Sequence, residues 1–416
     1  MIPHTLPDLE GGSRESRGID LPLELTITPR RWQVEALSLW QQHMRGVVSI
    51  VTGGGKTIFA YLCIDEFLRN YADGKVVILV PTSALLDQWF VGLQEDFHVD
   101  ETQISVFSGV EKSSSLGLIN LAVINTARDM AEVLSSHKPT MLIVDECHRS
   151  GSPANARALK GEYAATLGLS ATPERQYDDG FSIHIQPALG HTIYEYRYQE
   201  AAADGVITNF QLVNVRVRLL RDEQTRYVQL TRQAAALMQR ASTDMEAAKK
   251  LTRILQRRAT VSTTAFMRIP AAIKLADRER GARTLVFHER VDAANQIAEA
   301  LRQRHLNVAL YHTGIGPSLR RNNLKLFRRG VFDVLVSCRA LDEGFNVPET
   351  SVAIIAASTA SERQRIQRLG RVLRPAPGKN SATIYTLYAT DTEHKRLARE
   401  TGPLAGIAEV EWMTIG

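Results

Sequence analysis

Cysteine is scarce in this chain: Cys63, Cys147 and Cys338 are the three among 416 residues, scattered and without metal-ligand spacing. That excludes a disulfide framework and a cysteine-built zinc site, and it suits reduced thiols in a cytoplasmic protein. Long apolar runs are missing as well. Strand-like runs such as Val76–Pro81 and Met141–Val144 are far too short to cross a bilayer, so no membrane association is expected. The start, Met1-Ile2-Pro3-His4, lacks a basic region leading into an apolar stretch, and no secretory signal is expected. Neither sign of charge dominates. Fifty Lys and Arg against 45 Asp and Glu leave a net +5, which admits a polyanionic partner without requiring one. A hydrophobic share of 44% beside 23% charged residues is the balance of a globular protein, long enough for two domains.

What is present is a set of chemically pointed clusters placed far apart. Thr52-Gly53-Gly54-Gly55-Lys56-Thr57 follows the apolar run Val47–Val51 and opens a segment with helical spacing, Thr57–Asn70. Residues without side chains let backbone N–H groups approach phosphate oxygens, and a helix start adds its positive end. Lys56 would reach the outer phosphates of ATP, and Thr57 would place its hydroxyl on Mg2+. The full phosphate-loop pattern has glycine where Ile50 stands, so the match is incomplete; an ordinary glycine turn is the alternative, and it gives no reason for Lys-Thr at the junction.

Asp145-Glu146-Cys147-His148 closes another apolar run, Met141–Val144, at the strand end where open α/β sheets place ligands. Asp145 is the candidate Mg2+ ligand, Glu146 the candidate base for an attacking water, and His148 a candidate coupler to an opposite lobe. Acidic pairs also cap helices, which is the plainer reading. Last comes Gln367-Arg368-Leu369-Gly370-Arg371-Val372-Leu373-Arg374, where Arg371 and Arg374 stand one helical turn apart. Both would compensate transition-state charge; a solvent-facing helix is the alternative. The catalytic set is therefore Lys56, Asp145, Glu146, Arg371 and Arg374.

Residues 1–24 read as a loose tail. From 25 to 200, short buried strands alternate with helices, which predicts a parallel sheet with crossovers. From 201 to 270 the character changes: Phe210–Leu220 alternates like an edge strand, and Gln224–Arg258 is helical in period and rich in arginine. That stretch reads as a helical connector, either a spacer between lobes or a thumb that grips nucleic acid through its arginines. Strand–helix alternation resumes over 271–416, with strands at Thr284–His288, Asn307–Tyr311, Val331–Ser337, Ser351–Ala356 and Ser381–Tyr388 and helices at Val291–Gln303 and Glu362–Leu373. The expected fold is α/β, two domains with parallel sheets flanked by helices and joined by a helical connector.

These motifs, in this order, resemble superfamily 2 helicases of the DExH type, with wording similar to the XPB/Rad25-like DNA helicase branch, from about Thr28 to Pro375. The resemblance implies that both domains are RecA-like, and that Arg31 and Gln33 of Arg31-Trp32-Gln33 read the adenine side of ATP. It places Glu343, Gly344 and Asn346 near the nucleotide, and makes Ser170 and Thr172 of Ser170-Ala171-Thr172, together with Gln367, coupling residues. It implies nucleic-acid contacts from Thr82, Ser83, Asn125, Thr126, Arg128, His288, His312, Thr313, Gly314 and Ser337. Read by residue type alone, the small hydroxyls are equally loop caps. Trp89 reads as a core aromatic beneath its helix. Glu174-Arg175-Gln176-Tyr177-Asp178-Asp179 is only similar to the contiguous Arg-Glu-Asp loop of that branch. The function implied is an ATP-dependent DNA helicase or translocase, with DNA repair as a setting and recruiting proteins as further partners. The alternatives are an RNA helicase, a duplex translocase that does not unwind, or a nucleic-acid binding module.

Overall fold

Val76 to Val80 alternate between two faces, and both faces are apolar, which marks a strand covered on each side. Val76, Ile78 and Val80 join one core with Trp32, Phe59 and Ile64, while Val77 and Leu79 join another with Leu142, Val144 and Leu189. The structure is a computed structural model and describes residues 28–51, 53–171, 179–197, 200–201, 204, 210–338, 350–357, 382–401 and 408–415. Thr52, Thr172, Glu343, Gly344, Asn346, Gln367, Arg371 and Arg374 lie outside the described residues, as do the expected tail over 1–24 and the expected helix Glu362–Leu373.

Two sheets organise the chain. The first holds β1 (Arg45–Ile50), β2 (Lys75–Val80), β3 (Ile104–Phe107), β4 (Ile119–Val123), β5 (Thr140–Asp145), β6 (Ala165–Ser170) and β7 (Thr192–Tyr196) in the order β3-β4-β2-β5-β6-β1-β7. Every neighbouring pair is parallel. Parallel pairing needs crossovers, supplied in part by α2 (Lys56–Asn70) and α3 (Ser83–Glu95), while α1 (Arg31–Gln41) precedes β1. The ends of β1, β5 and β6 therefore open on one edge, and they carry the glycine loop, Asp145 and Ser170.

The second sheet holds β8 (Phe210–Arg216), β9 (Thr284–His288), β10 (Val308–Tyr311), β11 (Val334–Cys338), β12 (Val352–Ile355), β13 (Ala382–Tyr388) and β14 (Ala408–Thr414) in the order β10-β11-β9-β12-β13-β8-β14, again parallel throughout. Two parallel sheets flanked by helices are the α/β, two-domain architecture expected from the strand–helix rhythm. β8 differs from its reading as an edge strand. It lies between β13 and β14, because β14, which no pattern in the sequence announced, pairs along its outer side. The helical stretch is α4 (Arg221–Met238) followed by α5 (Met245–Thr263), a hairpin with a small core of Leu230, Ala234, Ile254 and Val261. Strands of the second sheet stand on both sides of that hairpin in the chain. It is thus an insertion after the first strand of the second lobe, where the sequence suggested a connector ahead of it.

Around the second sheet lie α6 (Arg268–Arg278), α7 (Val291–Arg302), α8 (Pro317–Arg328) and α9 (Asp391–Thr401). α8 also packs across the lobes against α3, and Val91 of α3 is buried in a second-lobe core with Tyr311, Leu324 and Phe327.

Candidate nucleotide site and nucleic-acid face

The glycine loop is held from below by the first helix. Gly55 is the N-cap of α2 with φ of 104°, a conformation that side chains resist, and a Cβ there would lie 2.8 Å from Gln33 Nε2. Gln33 Nε2 donates to the Gly55 carbonyl at 2.9 Å, while its Oε1 accepts from the Arg30 amide at 2.8 Å. Trp32 Nε1 and Arg30 Nη1 both donate to the Gly54 carbonyl, at 3.1 and 3.4 Å. Trp32 is buried and stacks on Tyr196 with centroids 5.4 Å apart. Gln33 therefore sets the loop's shape with both ends of its amide. Arg31, by contrast, projects into solvent and pairs with Glu35. Sequence reading chose Arg31 and passed over Arg30, whose guanidinium is the one that reaches the loop.

Lys56 follows at once and donates from Nζ to the Ile50 carbonyl at 3.3 Å, so its ammonium sits over the loop. Thr57 is half-buried in the first turn of α2. Across the strand ends, Asp145 is buried. Trp89 Nε1 donates to its Oδ2 at 2.9 Å and the Glu146 amide to its Oδ1 at 2.9 Å. Burial and the neighbouring Glu146 push the Asp145 carboxyl up to about 6, with Lys56 and Trp89 pulling the other way. Two carboxylates crowded at strand ends with one nearby ammonium are a set of hard oxygen donors short of positive charge, which fits a divalent cation such as Mg2+.

Glu146 takes a left-handed backbone, φ 50°, which turns the chain sharply off β5. The turn brings His148 back, its Nδ1 3.0 Å from Ser170 Oγ and 3.4 Å from Glu146 Oε2. Glu146, His148 and Ser170 thus form a polar chain from β5 to the end of β6, joining the acidic motif to the Ser-Ala-Thr motif.

The residues expected on the nucleic-acid face divide. Thr82 is the N-cap of α3, its Oγ1 accepting from the Leu85 amide at 3.4 Å, and Ser83 is its first residue. Asn125 is exposed and Thr126 half-buried in the short helix Ile124–Ala127 after β4. Thr313 and Gly314 are exposed in a turn after β10. Arg128 is half-buried and donates to Asn155 Oδ1.

His288, His312 and Ser337 are different. Ser337 is wholly buried within β11, paired in register with Tyr311 and Phe287, so its hydroxyl belongs to the interior of the sheet and not to a strand-binding surface. His288 is buried at the end of β9, accepting the Arg290 amide on Nδ1 at 3.1 Å; burial, then Arg268 and Arg290, bring its pKa down to about 4. His312 accepts the Gly314 amide on Nδ1 at 3.1 Å and sets Nε2 2.9 Å from Asn295 Oδ1, and burial lowers its pKa as well. Both rings are neutral near pH 7 and act as turn-shaping acceptors, so neither offers a cation to phosphate. The family resemblance pointed to nucleic acid; the apolar Leu285-Val286-Phe287 before His288 was the signal for burial.

Comparison with known proteins agrees with this layout. The description "Type III restriction enzyme, res subunit" matches residues 26–175, and "Helicase conserved C-terminal domain" matches residues 267–376. The chain is 26% identical over 393 residues to the DNA 3'-5' translocase XPB2 of Sulfurisphaera tokodaii, covering 90% of this chain and 84% of that protein. It is 25% identical over 390 residues to the DNA 3'-5' helicase XPB of Kineococcus radiotolerans, covering 92% of this chain and 64% of that protein. Among solved structures, S. cerevisiae Dbp5 bound to RNA and ADP BeF3 superposes with a TM-score of 0.63 at 14% identity, over 93% of this chain and 90% of that one. The Pyrococcus furiosus Hef helicase domain gives 0.54 at 16% identity, over 89% and 98%. Among the described residues no helix is long and apolar enough to cross a membrane. With a glycine-loop lobe and a helicase C-terminal lobe matched in order, the chain carries the two domains of a superfamily 2 helicase, an ATP-hydrolysing enzyme, and is similar to the XPB/Rad25-like branch.

Proposed function

We propose that this protein is an ATP-driven DNA motor, a helicase or translocase, whose catalytic groups are Lys56, Asp145 and Glu146 with Arg371 and Arg374 added from the second lobe. The observation that carries it is the charge-deficient Asp145–Glu146 pair beside the glycine loop at one sheet edge. Backbone amides of 53–55 and the Lys56 ammonium bind the phosphates. Thr57 and Asp145 would hold Mg2+, which when bound neutralises charge on the phosphate oxygens. Glu146 orients the attacking water and takes its proton. Thr52, Gln33, Glu343, Gly344 and Asn346 complete the nucleotide contacts in this reading, with Arg30 at the loop in place of Arg31. His148, Ser170, Thr172 and Gln367 relay the state of the site.

Thr82, Ser83, Asn125, Thr126, Arg128, Thr313 and Gly314 are the residues this reading assigns to the strand, through hydroxyls and amides that ignore base identity. DNA as the track and 3'-to-5' movement are supported by the names of the two relatives. The hairpin supports a role as a thumb: Arg226, Arg232, Arg240, Arg253 and Arg257 are exposed along it. In this reading the first lobe spans 25–200, and the second combines β8 with 271–416, the hairpin being inserted between them.

ATPase assays with single-stranded, duplex and forked DNA and with RNA test this. We expect turnover stimulated most by DNA, and Lys56→Ala should lower it by at least about a hundredfold. Arg371→Ala should keep nucleotide binding and lose hydrolysis. Wild-type turnover indifferent to every nucleic acid would sink the motor.

A further inference from the structure

One helix of the first lobe joins the Thr82 cap, the Asp145 carboxylate and the second lobe. α3 is capped by Thr82, and two turns on, the Trp89 indole donates to Asp145 Oδ2 at 2.9 Å in a buried contact. The ring is itself fixed: Tyr61 meets it edge-on at 5.8 Å, and Tyr61 stacks on Phe97 at 4.8 Å. A donor clamped in this way allows the carboxylate one orientation, since the Glu146 amide already holds its other oxygen.

Two residues before Trp89, Asp87 is 0% exposed, and its side-chain partners come from the second lobe. The Tyr311 hydroxyl donates to it at 2.9 Å, Arg321 Nε at 3.1 Å, and Arg320 Nε at close range. Arg321 continues to Glu111 and lies over the Phe90 ring, 4.2 Å from its centroid. Around this hub, Asp96 pairs with Arg328 at 3.0 Å and Glu95 with Lys325 and Arg329 at 3.1 and 2.7 Å. Val91 supplies the apolar centre. A carboxylate so buried and so fully met by one partner surface fixes the register of the docked helix more than it adds stability.

We propose that Trp89 is a positioning residue for Asp145, and that α3, seated on the second lobe through Asp87, carries the docking of the lobes to that carboxylate. The inference rests on the reading of Asp145 as the Mg2+ ligand. Residues that orient a metal-binding carboxylate change metal affinity far more than they change fold. A Trp89 that only packs the core would leave metal affinity alone.

The test uses the full chain with Trp89→Phe, which keeps an aromatic ring and removes the donor. The Mg2+ concentration for half-maximal ATPase should rise about tenfold, while Mg2+-free binding of a fluorescent ADP stays within about twofold. Asp87→Asn, which keeps acceptors and loses the charge, should shift the Mg2+ requirement the same way by about threefold. A second readout needs neither nucleotide nor turnover. In spectra of protein labelled with 15N-tryptophan, the Trp89 indole resonance, assigned by its loss in Trp89→Phe, should move in Asp145→Asn and in Asp87→Asn.

An active Trp89→Phe enzyme with the wild-type Mg2+ requirement overturns the positioning role, as does an indole resonance unmoved by Asp145→Asn. A resonance unmoved by Asp87→Asn overturns the link to lobe docking. A wild-type chain without ATPase would sink the motor reading instead, and the indole shift would still judge the contact.

Discussion

Asp145 and Glu393 are both buried carboxylates at the C-terminal edge of a parallel sheet, one in each lobe, and their surroundings differ in one respect. Asp145 receives two neutral N–H donors, and its nearest cation, Lys56, is turned to a carbonyl; burial and Glu146 then dominate and push its pKa up to about 6. Glu393 meets Arg268 Nη2 at 2.6 Å on one oxygen and the amides of Ala389 and Thr390 on the other, at 2.8 and 3.2 Å. Burial would raise it too, but Arg268, Ser262 and those donors outweigh burial and hold it below the usual range. The second lobe balances its buried charge within the chain. The first leaves negative charge for a ligand to balance, and that imbalance separates a site from a scaffold.

The sharpest way to break the comparison is to neutralise the site side. Glu146→Gln removes the candidate base while keeping size and hydrogen bonding, and steady-state turnover should fall by about a hundredfold to ten-thousandfold. ATP affinity, measured with a fluorescent analogue, should hold or tighten, because a carboxylate facing phosphate charge is gone. Turnover within tenfold of wild type would remove Glu146 from the chemistry.

Breaking the scaffold side should cost stability and leave chemistry alone. Arg268 is 1% exposed and donates to the carbonyls of Ser262, Ala356 and Leu387 as well as to Glu393, so it ties the end of α5 and two strand ends to α9. Arg268→Met strands the Glu393 carboxylate, and unfolding of the second lobe should become easier by about 3 kcal/mol. Adding Glu393→Leu to it should return part of that loss, which thermal melts of both single variants and the double variant would measure. A double variant no more stable than the worse single would mean that the charges are not paired in the way described.

Much of this layout was legible because it is local. The glycine loop, the acidic pair and the strand–helix rhythm each occupy a few consecutive residues, and the phosphate and carboxylate chemistry follows from residue type. Contacts across the chain were not legible. Trp89 meets Asp145 at a separation of 56 residues and Asp87 meets Arg320 at 233, and no periodicity in α3 announces either. Trp89 read as a core aromatic, and it is buried; what burial could not tell was that its indole N–H is used. β8 was misjudged as an edge for the same reason, since the strand that covers it comes from the other end of the second lobe, at 408–414. Ser337 and His288 were assigned by the family resemblance when their apolar neighbours pointed to the interior.

The last effect expected is also a scaffold effect, and it is read through pH. His288 is buried with a pKa of about 4, against an ordinary 6.5, because burial and the cations of Arg268 and Arg290 oppose its protonation, with Asp292 pulling weakly the other way. The unfolded chain takes up that proton first. The stability held by the neutral ring is therefore whole above pH 6.5 and drains away as the pH falls toward 4, to a total of about 3 kcal/mol. His288→Asn offers an oxygen in place of Nδ1 to the Arg290 amide and cannot titrate. Its melting temperature should fall less than that of the wild type between pH 7.5 and pH 4.5. Parallel pH curves for the two proteins would show that the ring is not held neutral. A wild-type curve that flattens below pH 6.5 would show that the unfolded chain gains no proton advantage there, and the contrast between a ring that shapes a turn and a carboxylate that awaits a cation would lose its first half.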